Sequence, residues 1–218
     1  MAHIHLEDGS FTLFWVIVWW AVALALIATA LIFLRRQKKA DNRRITMAAF
    51  CVAAAFVLSQ VELPIPGGVV HISLTPLIGI LTGPVIGLFI VFITNILSAA
   101  IGHGGWGMIG ANTLVNLSEV LVAYGIWRGL KPFFGNVFFR AGAATLCSLI
   151  LGNFVMMGII VLSGIQGVNQ TPGQIITGLF LIAAVNTAVA VIEALITGLV
   201  VSYIVKMRPD LLDSGKEV

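Results

Sequence analysis

The sequence predicts an all-α protein, a polytopic membrane bundle of about seven transmembrane helices with its N-terminus outside and its C-terminus in the cytoplasm. Three observations predict it. Hydrophobic residues make up 59% of the 218 and charged residues only 10%, where a soluble domain carries roughly 25% charged residues. The apolar residues come in long unbroken runs, not in the alternation of a membrane β-barrel. The basic residues gather in three clusters that flank those runs. With a mean hydropathy of +1.07, the chain cannot cover itself in polar surface, so lipid is its solvent. In lipid only helices and closed barrels satisfy the backbone hydrogen bonds. One membrane domain over residues 1–218 follows, in the plasma membrane.

Each run is then assigned in order. A transmembrane helix needs roughly 20 apolar residues. Residues 11–34 supply a first helix, which stops at Arg35-Arg36. Residues 45–61 supply a second, shorter one, and residues 109–127, 137–163 and 175–205 supply three more. The stretch 72–101 is interrupted by Thr82-Gly83-Pro84.

Positive charge sets direction, because cytoplasmic loops carry the excess of Lys and Arg. Arg35, Arg36, Lys38, Lys39, Arg43 and Arg44 follow the first helix, Arg128, Lys131 and Arg140 mark a second cytoplasmic segment, and Lys206, Arg208 and Lys216 mark the C-terminus. These are all twelve basic residues. The net charge of +3 is thus topological and implies no nucleic-acid partner. Parity requires residues 72–101 to enter and return, turning near Gly83-Pro84. Arms of about 15 residues would cover roughly 22 Å each, short of a hydrocarbon core of about 30 Å, so the first arm is expected to be a short helix packed inside the bundle.

This topology places all four histidines, His3, His5, His71 and His103, on the outer side. Solvated loop histidines are the ordinary alternative for any one of them, but four on one face favour a transition-metal site. A chain that begins X-His offers its terminal amine, the His amide and the imidazole in one plane, and a fourth nitrogen completes a square suited to Ni(II) or Cu(II). Co(II) can be drawn into such a site without preferring it. If Met1 is removed, the square is the Ala2 amine, the His3 amide, the His3 imidazole and His71. If Met1 is retained, Met1, Ala2 and His3 fill it alone. The expected metal-site residues are therefore Met1, Ala2, His3 and His71.

Several blocks together resemble the CbiM/NikM family, the substrate-capture membrane components of energy-coupling-factor transporters for cobalt and nickel. They are His3-Ile4 followed by Glu7-Asp8-Gly9, and Ala53 to Val57 followed by Pro64-Ile65-Pro66-Gly67-Gly68 and His71. Further along come Gly102-His103-Gly104-Gly105 with Gly110-Ala111-Asn112, and the run Ile192 to Gly198. The resemblance covers residues 1–9 and about 45–205, leaving 11–34 as an extra first helix before a six-helix core. Ala2 is inserted before the histidine, His103 stands where the family usually has Asp, and Asn186 stands where a histidine is common. The resemblance implies capture of Ni(II) or Co(II) as cargo, with no resident cofactor. It also implies a transmembrane coupling subunit and ATPase subunits supplied by other chains, with room for a small accessory membrane subunit.

The remaining polar residues carry competing readings. Glu119 and Glu193 lie within apolar helices, where carboxylates are costly. They are a gate or proton site, or, the preferred reading, hydrogen-bonded carboxyls that hold helices together with Asn112, Asn116 or Asn186. As a proton pair they would make the chain a proton-coupled secondary carrier. Asn95, Asn112, Asn116 and Asn153 read as interhelical glue. Ala49 and Ala53 form a small-xxx-small pair that serves bundle packing or docking onto the coupling subunit. Trp15, Trp19 and Trp20 read as lipid-facing or interfacial, and Cys51 and Cys147 as small core residues. Neither a phosphate loop of the Gly-x-x-x-x-Gly-Lys-Ser/Thr type nor a His-Glu-x-x-His motif occurs, so the chain is expected to be no enzyme.

Overall fold

A computed structural model describes residues 8–36, 42–65, 68–167 and 171–208. Among these residues it has six α-helices: α1 (Leu13–Arg36), α2 (Asn42–Ser59), α3 (Thr75–Ala100), α4 (Ile109–Gly129), α5 (Val137–Ser163) and α6 (Pro172–Met207). All but α2 are long and apolar enough to cross a membrane. The departure from an all-helical chain is a two-stranded antiparallel ribbon between α2 and α3, β1 (Glu62–Ile65) and β2 (Gly68–His71), with Glu62 opposite His71. Its strands pair with each other, which satisfies backbone groups where the chain is not helical.

The helix ends follow local chemistry. Asn136 caps α5, its Oδ1 accepting from the amides of Phe138 and Phe139 at 3.0 and 3.4 Å. Gly164 ends the same helix at φ +66°, a conformation glycine adopts without a Cβ penalty. Thr171 and Gln174 form a reciprocal capping box at the start of α6, with Pro172 in its first turn.

Where seven helical passes are expected, six helices are described, and α3 is folded back on itself. Its 26 residues would span about 39 Å if straight. Yet His71, just before α3, and His103, just after it, have ring centroids 4.7 Å apart. The reversal is at Gly83, whose φ of 73° and ψ of 178° break the helix immediately before Pro84. Packing agrees: a Cβ on Gly87 would lie 3.6 Å from Ile78 Cγ2, and both Gly79 and Gly87 face Val120 of α4. The arms are unequal, residues 75–82 being short and largely buried and residues 84–100 longer. Expected arms of similar length are thereby corrected, because residues 72–74 lead into the helix without belonging to it.

At the centre lies α4, in contact with α1, α3 and α5, while α5 pairs with α6 and α2 with α3. At the histidine end, Phe11, Met108, Ala111, Val115, Met156, Ile159, Ile160 and Leu179 pack together. At the other end Ile80, Ala123, Trp127, Ala141, Ala144 and Val201 do so. Close backbone approach rests on glycines, as expected where lipid gives helices no hydrophobic drive to associate. A Cβ on Gly110 would come within 2.6 Å of the Trp19–Trp20 backbone, and one on Gly79 within 2.5 Å of the Val120 carbonyl oxygen. Large apolar side chains such as Phe50, Phe154, Leu181 and Leu199 are exposed, which suits a lipid-facing surface.

Arg35 and Arg36 end α1, Arg128 ends α4 with Lys131 just beyond it, Arg140 lies in the first turn of α5, and Lys206 and Arg208 end α6, all at the end opposite His71 and His103. Arg140 lies over the Trp127 ring at 3.6 Å and Arg128 over Tyr124 at 5.0 Å. Among the described residues, Lys and Arg thus lie at one end of the bundle and His71 and His103 at the other.

Other expectations are adjusted. The indole of Trp19 donates to Ser163 Oγ at 2.8 Å and that of Trp20 to the Trp106 carbonyl at 3.2 Å, so these tryptophans tie α1 to the bundle. Cys51 packs beside Ala55 and Val120, whereas Cys147 is exposed on α5 and is not a core residue. Ala49 and Ala53 are exposed, with Ala48, Cys51, Val52 and Ala55 turned toward the bundle instead.

Candidate metal site

His71 is the last residue of β2 and is only 3% exposed. Its position is fixed from both sides. Pairing with Glu62 holds its backbone, and two residues on, the Ser73 amide donates to Glu193 Oε1 of α6 at 2.8 Å. Ser73 Oγ in turn contacts Thr75 Oγ1 and accepts from the Thr75 amide at 3.0 Å at the start of α3. Glu193 therefore anchors the segment that carries His71, in keeping with the hydrogen-bonded reading. Asn186, an expected helper of Glu193, instead bonds Asn153 on α5 at 2.9 Å.

His103 approaches from the far end of the α3 hairpin. Its ring stands perpendicular to that of His71, at 90° between planes. The Gly102–Gly105 loop makes this possible: Gly102 and Gly104 have φ of 83° and 90°, and the His103 amide returns to the Ser98 carbonyl at 2.9 Å.

Asp8 completes this end of the molecule. Its carboxylate accepts from the amides of Trp106 at 3.1 Å and Gly107 at 2.7 Å. A Cβ on Gly105 would lie 2.5 Å from Asp8 Oδ1, so the loop is built to seat this carboxylate. Ser10, two residues on, accepts from the Gln166 amide at 2.8 Å. The clamp ties the N-terminal segment to the loop that carries His103. Sequence reading met Asp8 only as part of a resembling block, and the signal that could have found it is an acidic residue close to the terminus together with the Gly104-Gly105-x-Gly107 pattern. Met1, Ala2, His3 and His5 lie outside the described residues.

We expect Asp8→Ala to lower metal affinity at least about tenfold. Hydrogen bonds to a charged group are worth about 1.5–3 kcal/mol, and 1.4 kcal/mol corresponds to a factor of ten. Asp8→Asn, which keeps an acceptor oxygen, should lose less. Titration calorimetry of the two variants with Co(II) checks the order.

Below His71 a polar interior continues. A cavity of about 20 Å³, room for roughly one water, is lined by Ser59, Ser73, Thr75, Thr94 and Asn116 among apolar neighbours. Asn116 Nδ2 donates to Asn95 Oδ1 at 3.2 Å, and Asn95 Nδ2 to Thr113 Oγ1 at 3.2 Å, bridging α3 and α4. Glu119 is fully buried against Gly152, where a Cβ would meet its Oε1 at 2.5 Å. Among the described residues no three His, Cys, Asp or Glu side chains cluster; what they supply is the His71–His103 pair and the Asp8–Ser10 segment held on the neighbouring loop.

Comparison with known proteins bears on what such a site serves. Two crystal structures of transition metal transporters share the fold, with TM-scores of 0.76 and 0.75 over 98% and 93% of this chain and 99% of each of theirs, at 21% identity. The cobalt transport protein CbiM of Carboxydothermus hydrogenoformans is 31% identical over 199 residues, 84% of this chain and 82% of that protein. That of Chlorobium limicola is 26% identical over 221 residues, 97% and 84% of the respective chains. These relatives are named for transport and not for catalysis. Residues 5–211 match the family described as the cobalt uptake substrate-specific transmembrane region, and this chain, a membrane protein of several apolar helices, belongs to that CbiM family.

Proposed function

We propose that this chain is the substrate-capture subunit of an energy-coupling-factor importer and binds Co(II) or Ni(II) on the outer face of the plasma membrane. In this reading the two arms of α3 count as separate passes, which makes seven, and the basic end faces the cytoplasm. Metal is held by the amine of Ala2, by the amide and imidazole of His3 and by His71; with Met1 retained, Met1, Ala2 and His3 would fill the square and His71 would not be needed. The observation that carries the reading is the convergence of buried His71 with the Asp8 clamp at the end of the bundle where no described Lys or Arg lies. From Asp8 back to His3 is a five-residue reach, at most about 17 Å. Delivery would run past Ser73, Thr75 and Asn116 into the polar interior. The exposed Ala49–Ala53 face of α2 suits a coupling subunit, because small residues let another helix approach closely.

A terminal amine as ligand has a direct consequence. Purified chain with its native N-terminus should bind Co(II) or Ni(II) in calorimetry, and a short peptide fused ahead of it should abolish high-affinity binding. Equal affinities would remove the amine from the site. In liposomes the chain by itself should accumulate no metal when ATP is supplied, and should do so once coupling and ATPase subunits are added. Uptake that needs no ATPase but follows a proton gradient would favour a secondary carrier working through Glu119 and Glu193.

A further inference from the structure

We infer that the loop joining α4 to α5, residues 130–136, is a membrane-interface anchor that binds anionic phospholipid headgroups in the leaflet at the basic end of the bundle. The inference is independent of which metal the chain carries. It starts from an exposure that packing within the chain does not account for. Phe133 is 79% exposed, more than any other large apolar side chain among the described residues, and Phe134 is exposed beside it. Most of the other exposed apolar side chains belong to the spanning helices, where lipid tails cover them. Phe133 and Phe134 lie beyond a helix end, and Phe139, in the first turn of α5, adds a third exposed ring.

Depth and backbone both suit the interface. The 21 residues of α4 rise about 31 Å, close to a hydrocarbon core of about 30 Å, so the chain leaves the core as the loop begins. A loop that enters the headgroup layer must bring few free amides with it, because an unpaired N–H away from water is costly. The Leu130 amide donates to the Ile126 carbonyl at 2.9 Å and the Lys131 amide to the Arg128 carbonyl at 3.2 Å. The amides of Phe133 and Phe134 both donate to the Leu130 carbonyl, at 3.1 and 2.9 Å. Pro132 has no N–H to satisfy. Residues 130–134 therefore present no unpaired backbone donor, a closure that a loop in water does not require.

Charge selects the lipid. Lys131 is exposed in the loop itself. Arg128 lies over the Tyr124 ring and Arg140 over the Trp127 ring, which holds both guanidinium groups at the same end. No Asp or Glu occurs between Glu119 and Glu193 in the sequence, and Glu119 is fully buried midway along α4. Neither the loop nor the ends of the two helices it joins carry a carboxylate to neutralise these cations. Aromatic rings that seat at the acyl boundary, next to cations that meet phosphate, are the combination by which surface segments hold anionic membranes.

The test has two readouts on the full chain. For depth, a nitroxide is attached at Phe133→Cys in a chain whose own cysteines are replaced, Cys51→Ala and Cys147→Ser, and the protein is reconstituted in phosphatidylcholine vesicles. Power-saturation EPR should show the label colliding more with oxygen, which concentrates in lipid, than with chromium oxalate, which stays in water. For charge, the unlabelled chain is equilibrated with equal parts of phosphatidylcholine and phosphatidylglycerol, and the lipids it retains are read by native mass spectrometry. Wild type should retain phosphatidylglycerol in preference. Lys131→Gln should lower that preference about fivefold, the equivalent of about 1 kcal/mol for one basic residue at an anionic surface, and Lys131→Arg should keep it. A label that meets chiefly chromium oxalate would overturn the inference, and its shielding only after coupling and ATPase subunits are added would make the loop a protein-docking surface instead. An unchanged lipid preference in Lys131→Gln would overturn it too, since the anion would then be held elsewhere.

Discussion

Replacing His71 with alanine is expected to weaken both Co(II) and Ni(II) binding by at least about 10–100-fold. Losing partners that merely orient a ligand already costs that much, and His71 is proposed as a ligand itself. Its imidazole is also preorganised. It is buried to 97% by the bundle, its backbone is paired with Glu62, and Glu193 fixes the segment two residues on. Little conformational freedom is left to lose on binding, so most of the metal–nitrogen interaction is available as affinity. His3→Ala should be as damaging. The comparison of the two discriminates between the terminal chelates: a self-contained Met1-Ala2-His3 square would be destroyed by His3→Ala and indifferent to His71→Ala. Calorimetry of both variants, with unfolding midpoints recorded alongside, decides it. Affinity within about twofold of wild type in a folded His71→Ala protein would exclude the shared site, since even an outer-shell loss costs more.

The second large effect concerns the fold that brings the histidines together. Gly79→Val should destabilise the bundle by about 1–3 kcal/mol or more, the usual cost of overpacking. At Gly79 even a Cβ would lie 2.5 Å from a backbone oxygen of α4, and backbone cannot swing aside as a side-chain tip can. The short arm would have to leave α4, and the hairpin that returns His103 to His71 would loosen with it. Gly87→Ala is a graded companion, since its Cβ would meet the Val120 side chain at 2.7 Å. Gly125→Ala and Gly158→Ala are controls, for nothing lies within 4 Å of a Cβ there. Thermal unfolding in detergent should rank Gly79→Val as the most damaging, Gly87→Ala as intermediate and the controls as near neutral. A Gly79→Val protein as stable as its controls would mean that the short arm does not pack on α4 as described.

Much of this protein was legible in its residues. Membrane residence follows from composition alone, because a chain that is 59% hydrophobic and 10% charged cannot solvate itself in water. The helices follow from run length, and the return at Gly83-Pro84 was to be expected from the position of that interruption between two apolar arms. The two ends of the molecule, histidine and basic, were separable because the basic clusters flank the apolar runs. These are one-dimensional properties, set by how many apolar residues stand between two charges. What only the tertiary structure decided is which polar atoms meet. Nothing in the sequence says that Asp8 is seated by the amides of Trp106 and Gly107, or that Glu193 bonds the Ser73 amide instead of Asn186. Nor does it place the His71 and His103 rings at 4.7 Å. Each of these pairs is separated by tens of residues and joined by helices whose crossing depends on glycine contacts. Spacing along a chain fixes the depth of a residue in the bilayer, whereas the neighbour it finds at that depth is set by how the helices pack.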